Sequence, residues 1–584
     1  MLSLSFLVVT FLFVGVIVML AATRLRPIAV FAIAAWVLYA SGVLTLEQLS
    51  HNYVNPSLLT LIGLMLLSVV LEKVSFVSEL SRRSVTSGGN VSLGVFRLGL
   101  VAGVISSFLN NTAVVATLMG GLRRQSRLPV SRYLLPLSYA SIAGGMMTLV
   151  GTSTNLIVNS FVEESGAVPL GFFDFTLIGA PVFLATLIVI SLVSHRFLSD
   201  KHLPDEATER REYLFERTVS EHSSLVGKSI ADNGLRRLEN MFLVEVVRDG
   251  KTFAPVAPDF ILRADDTLVF SGEPAYEHIL HGFDGLTSHG LEKHLPGQGA
   301  PLVEVIVSPT SSMIGYSLKT CEFRSRFDAA VIAIRRGSKN IRGKLGDHVL
   351  QAGDSLLLTV GPKFTDAKEG RRNDFITVSG IERRQPLNTA SSILVMAGFG
   401  VAIALSVVGF ISLLKGILLL LGACLAFRLI TVDELKARFP FELIVVIGGA
   451  LGLSQAMFQV GLADMLAGAV NFGVGGMGPF AALVAVYVVT WLVTELVTNN
   501  AAAALMFPIA YATAEALGVS PYPFFMALAF GASASFLSPY GYQTNLMVYS
   551  AGNYQLADYI KAGLPLLLVY SSVALVLIPW VFPF

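Results

Sequence analysis

Four short polar strings interrupt otherwise apolar stretches of this 584-residue chain: Asn110-Asn111-Thr112, Gly151-Thr152-Ser153-Thr154-Asn155, Thr498-Asn499-Asn500 and Ser538-Pro539-Tyr540-Gly541-Tyr542-Gln543-Thr544-Asn545. Their side chains offer amide and hydroxyl oxygens, and unwound backbone adds carbonyls, the donor set a hard cation such as Na⁺ takes. Helices that restart beyond a break present free N–H groups and positive dipole ends, which suit an anion. None of the four strings holds Lys or Arg. An anion bound among them must be neutralised by backbone amides and co-bound cations, which is a physical reason for sodium coupling. Glu495, four residues before Asn499 in an apolar arm, is a carboxylate at bilayer depth. Such a group either tunes a cation site, carries a proton, or is satisfied by nearby helix ends.

The elements that position these strings follow from composition. Hydrophobic residues make up 54% of the chain and charged ones 14%, against about 25% charged in a soluble domain. Residues 201–385 hold 51 of the 81 charges, so two apolar blocks flank one polar insert. The pattern excludes a secreted enzyme and a disordered chain, and a net charge of +1 gives no general attraction for nucleic acid. No nucleophile–base arrangement is visible, so no enzyme is expected. Apolar runs near 4–22, 27–43, 57–71, 171–197, 392–409, 411–428, 441–457 and 564–583 suit a hydrocarbon layer that takes about 20 helical residues to cross. The expected fold class is a polytopic α-helical membrane protein. Residues 1–22 are read as a helix, because no basic segment precedes the apolar core whereas Arg24 and Arg26 follow it.

The two blocks are copies of each other. Val43-Leu44-Thr45-Leu46-Glu47-Gln48-Leu49 matches Leu429-Ile430-Thr431-Val432-Asp433-Glu434-Leu435 at an offset of 386, which also pairs Gly63 with Gly449 and Ser68 with Ser454. Asn111 pairs with Asn499 at 388, and Thr154-Asn155 with Thr544-Asn545 at 390. Matched loops carry opposite Lys/Arg bias: 44–56 has none where its counterpart has Arg428, Lys436 and Arg438, and Lys73, Arg82, Arg83, Arg123, Arg124, Arg127 and Arg132 lack basic equivalents. The copies are therefore inverted, with the N-terminus outside and the insert, entered past Arg196 and Lys201 and left past Arg383-Arg384, in the cytoplasm of a plasma-membrane protein. Leu93 to Leu122 then starts and ends on one face, a re-entrant hairpin with Asn110-Asn111-Thr112 at its tip and arms of about 15 residues. The next crossing, Tyr133 to Phe161, is broken at 151–155, and copy two repeats both devices. Two tips and two breaks from inverted copies should converge at the midplane.

These motifs resemble those of the divalent anion:sodium symporter family, within the wider ion-transporter superfamily, over about two-thirds of the chain. The family's Ser-Asn-Thr tip falls on Asn110-Asn111-Thr112 and Thr498-Asn499-Asn500, with Asn110 and Thr498 in place of Ser and Asn500 in place of Thr. Its Gly-Thr-x-x-Asn break falls on Gly151 to Asn155, while only Gly541 and Asn545 fit in the second copy. The strings at 109–112 and 541–549 are most similar to the branch with a soluble insert, which includes sulfate transporters. The resemblance implies a homodimer of scaffold and mobile units, elevator-type alternating access, and sodium at each tip. The expected sodium sites lie near Ser107, Asn111, Gly151 and Asn155, and near Thr494, Asn499, Gly541 and Asn545. The expected substrate ligands are Asn110, Asn111, Thr112, Thr154, Asn155, Thr498, Asn499, Asn500, Thr544 and Asn545. Sulfate is the first candidate and dicarboxylate the second. A cation/proton antiporter on the same scaffold, with Glu495 as its titrating group, and an insert-gated channel are the competing classes.

The insert is itself duplicated. Ser223-Ser224-Leu225-Val226-Gly227 recurs as Ser311-Ser312-Met313-Ile314-Gly315 at an offset of 88, and Ala264-Asp265-Asp266-Thr267-Leu268 recurs as Ala352-Gly353-Asp354-Ser355-Leu356. Alternating runs at 242–247, 267–270, 303–307 and 331–334 predict strands, and each copy is expected to be a small α+β module. The expected division is membrane copy one over 1–200, modules over 201–290 and 291–385, and membrane copy two over 386–584. Each module resembles the C-terminal lobe of potassium-conductance regulators. That resemblance admits a small anionic, nucleotide-type regulator; the plainer reading is a spacer or dimer contact.

Overall fold

The computed structural model describes residues 4–23, 25–74, 90–123, 130–198, 214–235, 238, 241–249, 251–272, 274–287, 302–308, 311–337, 339–341, 345–361, 364, 374–379, 387–474 and 477–584. Arg24, Arg82, Arg83, Arg124, Arg127, Lys201, Arg383 and Arg384, on which part of the orientation argument rests, lie outside them. The first copy comprises α1 (Leu4–Ala22), α2 (Pro27–Ala40), α3 (Leu46–His51), α4 (Pro56–Leu71), α5 (Val91–Ser106), α6 (Asn111–Arg123), α7 (Ser131–Gly145), α8 (Ser153–Glu164) and α9 (Thr176–Phe197). The second comprises α10 (Thr389–Val407), α11 (Leu413–Ala426), α12 (Val432–Ala437), α13 (Phe441–Val460), α14 (Leu462–Val474), α15 (Pro479–Leu496), α16 (Asn499–Leu517), α17 (Tyr522–Ser533), α18 (Gln543–Ala551) and α19 (Leu556–Val581). Among the described residues six helices are long and apolar enough to cross a membrane: α1, α10, α13, α15, α19 and the Thr176–Ser194 part of α9.

The duplication holds for each helix but α14, whose matching positions lie outside the described residues. The matched strings at 43–49 and 429–435 become the short helices α3 and α12, each opened by a capping box, Thr45 with Gln48 and Thr431 with Glu434. In each box the Thr hydroxyl and the residue three positions on satisfy amides that the helix start leaves unpaired. Contacts between copies come in exchanged pairs: α2 packs on α13 and α4 on α11, while α7 packs on α18 and α8 on α17. α9 and α19, equivalents of each other, pack together. One buried apolar cluster runs through both copies, so they share a single core. Ion pairs link the copies: Lys73 Nζ meets Glu434 at 2.8 Å and Arg438 faces Glu72 at 3.6 Å. The chain re-enters copy two beside them, Leu387 N–H donating to the Lys73 carbonyl at 2.9 Å.

Each insert module is a five-stranded antiparallel sheet. Module one has β1 (Leu214–Val219), β2 (Met241–Arg248), β3 (Lys251–Phe253), β4 (Thr267–Gly272) and β5 (Leu286–Thr287); module two has β6 (Leu302–Val307), β7 (Ala329–Arg336), β8 (Lys339–Ile341), β9 (Ser355–Val360) and β10 (Phe375–Ser379). The strand orders, β3-β2-β4-β1-β5 and β8-β7-β9-β6-β10, are equivalent. Even the ion pairs repeat at an offset of 88: Arg248 is bidentate on Asp266 (2.7 and 2.7 Å) and Arg336 on Asp354 (2.7 and 2.8 Å). Those carboxylates raise the pKa of each guanidinium. The two sheets join through Val244, Ile332 and Leu357, with Thr359 Oγ1 donating to Glu245 at 3.0 Å.

Candidate functional site

The polar strings form two helical hairpins, α5–α6 and α15–α16, and two broken helices, α7–α8 and α17–α18. The breaks start earlier in the chain than the sequence indicates, at Met146 and at Ala534, and end at Thr152 and Tyr542. Thr154, Asn155, Thr544 and Asn545 therefore sit in the first turns of the restarted helices, as Asn111, Thr112, Asn499 and Asn500 do in theirs. A helix start fixes side chains more firmly than loop backbone, because only its first amides lack partners.

Four helix N-termini thus meet in one hydrogen-bonded cluster. Asn111 Nδ2 donates to Tyr542 Oη at 2.8 Å, and Tyr542 Oη pairs with Thr152 Oγ1 at 3.0 Å. Thr152 and Tyr542 are equivalents at the 390 offset and hold the same extended backbone before α8 and α18. Thr112 Oγ1 donates to Gln543 Oε1 at 3.2 Å, and Ser153 Oγ to Asn500 Oδ1 at 3.0 Å, one contact seen twice with the copies exchanged. Asn499 Nδ2 donates to Thr154 Oγ1 at 2.8 Å, and Thr154 Oγ1 to Asn500 Oδ1 at 3.3 Å. Asn110 and Thr498 are exposed at the tips and cap their hairpins, accepting from Thr112 N–H at 2.9 Å and Ala501 N–H at 3.4 Å. Neither Thr152 nor Tyr542 caps its helix with its side chain, so the broken helices are the pair with first-turn amides to offer an anion.

Two groups of oxygens flank this cluster, each packed closely against a glycine. A Cβ on Gly145 would lie 2.6 Å from Asn111 Oδ1 and 3.1 Å from the Gly151 carbonyl. One on Gly541 would lie 2.1 Å from Ser535 Oγ and 3.3 Å from the Thr494 carbonyl. In the first group, Ser106 Oγ donates to Asn111 Oδ1 and Thr148 Oγ1 to the Ser107 carbonyl. Asn155 Nδ2 donates to the Thr148 carbonyl at 2.9 Å, while its Oδ1 is buried with no hydrogen-bond partner. In the second, Thr494 Oγ1 donates to the Ala532 carbonyl at 2.7 Å and Asn545 Nδ2 to the Ser535 carbonyl at 2.8 Å. Asn545 Oδ1 accepts from Ser138 Oγ at 2.8 Å, a hydroxyl that also reaches Thr544 Oγ1 at 2.9 Å. Ser533 and Ser535 Oγ are buried without partners. Buried unpaired oxygens are costly in a dry interior. Glu495 is half-buried and turned to the second break, accepting from Leu537 N–H at 3.5 Å.

Sequence reasoning missed Ser138, Thr148 and the Tyr542–Thr152 pair. Tyr542 and Thr152 could have been found from the 390 offset. Ser138, inside an apolar helix and distant in sequence from Asn545, carries no signal of its own.

Two inverted copies whose interrupted helices bring uncharged oxygen and amide groups together inside an apolar bundle define a membrane transporter rather than an enzyme. A family model described as a citrate transporter matches residues 16–531, and the chain belongs to that family. It is 31% identical over 571 residues to a Chlamydomonas reinhardtii protein provisionally named a sulfur deprivation response regulator, covering 92% of this chain and 95% of that one. It is 30% identical over 568 residues to an uncharacterized transporter of Synechocystis, covering 92% and 91%. Sodium/sulfate cotransporter 1 of Chlamydomonas reinhardtii is 30% identical over 373 residues, 61% of this chain and 42% of that protein.

Proposed function

We propose that the chain is a sodium-coupled secondary active transporter that imports a small divalent anion, sulfate ahead of dicarboxylate, as the names of its cotransporter relatives suggest. The observation that carries this reading is the meeting of four half-helix starts, whose polar strings hold no Lys or Arg, between two groups of oxygens packed against glycines. Amides of α8 and α18 hold the anion. One Na⁺ sits by Asn111, Gly151 and Asn155 with the Ser107 carbonyl, and another by Thr494, Asn499, Gly541 and Asn545. Bringing two cations beside a dianion removes the Coulomb cost that a lone dianion carries in a low-dielectric interior. Glu495 adds charge to the second sodium site; its engagement with the second break sets the antiporter reading behind symport. The N-terminus lies outside, the insert in the cytoplasm, and the carrier works as a homodimer with elevator-type access.

The test is uptake of labelled sulfate and of succinate into proteoliposomes, each with and without an inward Na⁺ gradient. Saturable sulfate uptake that needs the gradient is expected. Uptake indifferent to Na⁺, or driven by a pH gradient alone, would sink symport.

A further inference from the structure

The two insert modules are nearly superposable in sequence and strand order, yet one of them touches the transport site's helices and its twin differs at the points of contact. In module two the β7–β8 turn holds Gly337 and the turn before β9 holds Gly353, both in left-handed backbone with φ of 57° and 84°. Both are buried. Ser550 on α18 joins them: its Oγ donates to the Gly353 carbonyl and accepts from Gly337 N–H at 3.3 Å. A Cβ on Gly337 would lie 2.5 Å from Tyr549 Oη, and one on Gly353 2.5 Å from a Leu546 methyl.

Module one shows what the backbone alone demands. The same turns there hold Asp249 and Asp265, with φ of 50° and 64°, and both residues are exposed. The fold therefore tolerates Asp at these turns, and glycine in module two answers to close approach rather than to the turn. The Arg336–Asp354 pair ties the two turns into one platform, as Arg248–Asp266 does in module one. Module two has a second purchase: its β10 lies against α6, and Ile306 belongs to the membrane core. Both helices it grips, α6 and α18, begin at the site, with Asn111 and Asn545 in their first turns. An isolated nine-residue helix such as α18 is marginal without outside support.

We infer that module two is a docking piece for the transport helices, seated on α18 through Gly337 and Gly353, and that this seat fixes the orientation of Asn545 at the second sodium site. Module one has charged residues at the same turns, its described strands show no comparable packing on the membrane helices, and it is the half open to a regulator or partner. The sodium part rests on the proposed function; the seat itself does not.

The experiment uses the full-length protein with Gly337→Asp and Gly353→Asp together, which import module one's own residues, and the reciprocal Asp249→Gly and Asp265→Gly as control. Amide hydrogen exchange over residues 545–551 and the Na⁺ dependence of sulfate uptake are measured. The Asp pair should speed exchange and raise the KM for Na⁺ by about tenfold, the size of an ordinary coupling between sites, with the control unchanged. Ser550→Ala, which keeps every backbone turn, should move both readouts the same way by a smaller factor. Unchanged exchange in the Asp pair overturns the seat; faster exchange with an unaltered KM overturns its link to sodium. Wild-type uptake without Na⁺ dependence would remove the functional reading while exchange still decides the docking.

Discussion

The two half-sites descend from one duplicated unit but differ in charge and in how far their ligands are already engaged. Ser107 of the first hairpin corresponds to Glu495 of the second, and Thr152 corresponds to Tyr542. Asn155 Oδ1 lies buried and unpaired, whereas its counterpart Asn545 Oδ1 is held by Ser138. Conversely Asn111 is buried and bonded to Ser106 and Tyr542, while Asn499 is half-buried and bonded to Thr154. Duplication supplies the scaffold, and divergence has made one neutral, preorganised cradle and one charged, pre-engaged one. A pair of unequal cation sites suits a carrier that must load in order, because the site that needs no rearrangement fills first.

The largest effects should come from the glycines. Gly145→Ala and Gly541→Ala place a methyl among the oxygens of each cradle, and each should abolish Na⁺-driven sulfate uptake in protein that still elutes as a single folded species. Normal uptake in either variant would remove that cradle from the mechanism. Asn111→Ala and Asn499→Ala should each abolish transport too, and their stabilities sharpen the comparison. Losing Asn111 removes two buried hydrogen bonds, to Ser106 and Tyr542, so its variant should lose about 1–3 kcal/mol of stability and melt earlier. Asn499→Ala, at a wetter position, should melt close to wild type. Wild-type uptake in both would refute the site assignment, and equal melting shifts would refute the asymmetry.

Much of this geometry was written in the sequence, for identifiable reasons. Spans such as α1, α10 and α13 were legible because about 20 apolar residues have few other uses, and the hairpin around Asn110-Asn111-Thr112 because basic residues bracket it. The offsets 386, 388 and 390 gave the helix equivalences, and the offset of 88 gave both sheets of the insert. The limits of the breaks were not legible: Met146 to Val150 and Ala534 to Leu537 are apolar or small and read as helix, yet they unwind because Gly145 and Gly151 approach each other's backbone and Gly541 approaches Ser535. Ser138 and the seat of module two depend on contacts across hundreds of residues, which no local pattern encodes.

A smaller effect separates the half-sites by charge. Glu495→Gln keeps the shape and the contact with Leu537 N–H but removes a negative charge near the second cradle, so the KM for Na⁺ should rise about tenfold. The equivalent Ser107→Ala should change it little, because the Ser107 hydroxyl is turned back onto the Val104 carbonyl at 2.7 Å and only its carbonyl faces Thr148. Equal responses from the two variants would show that the carboxylate contributes no field at the site.

The smallest effect tests whether Ser138 is a lock or a ligand. In this conformation Ser138 Oγ occupies Asn545 Oδ1 and Thr544 Oγ1 at once, so sodium must displace that hydroxyl to gain the amide oxygen. A neutral hydrogen bond nets about 0.5–1.5 kcal/mol, which bounds the cost of displacement. Ser138→Ala removes the competitor and leaves α7 intact, so Na⁺ affinity should tighten by less than about tenfold, with the first half-site unaltered, as read from the KM for Na⁺ at fixed sulfate. If affinity weakens instead, the hydroxyl joins the second sodium site rather than guarding it, and the two half-sites then differ in ligand number as well as in charge.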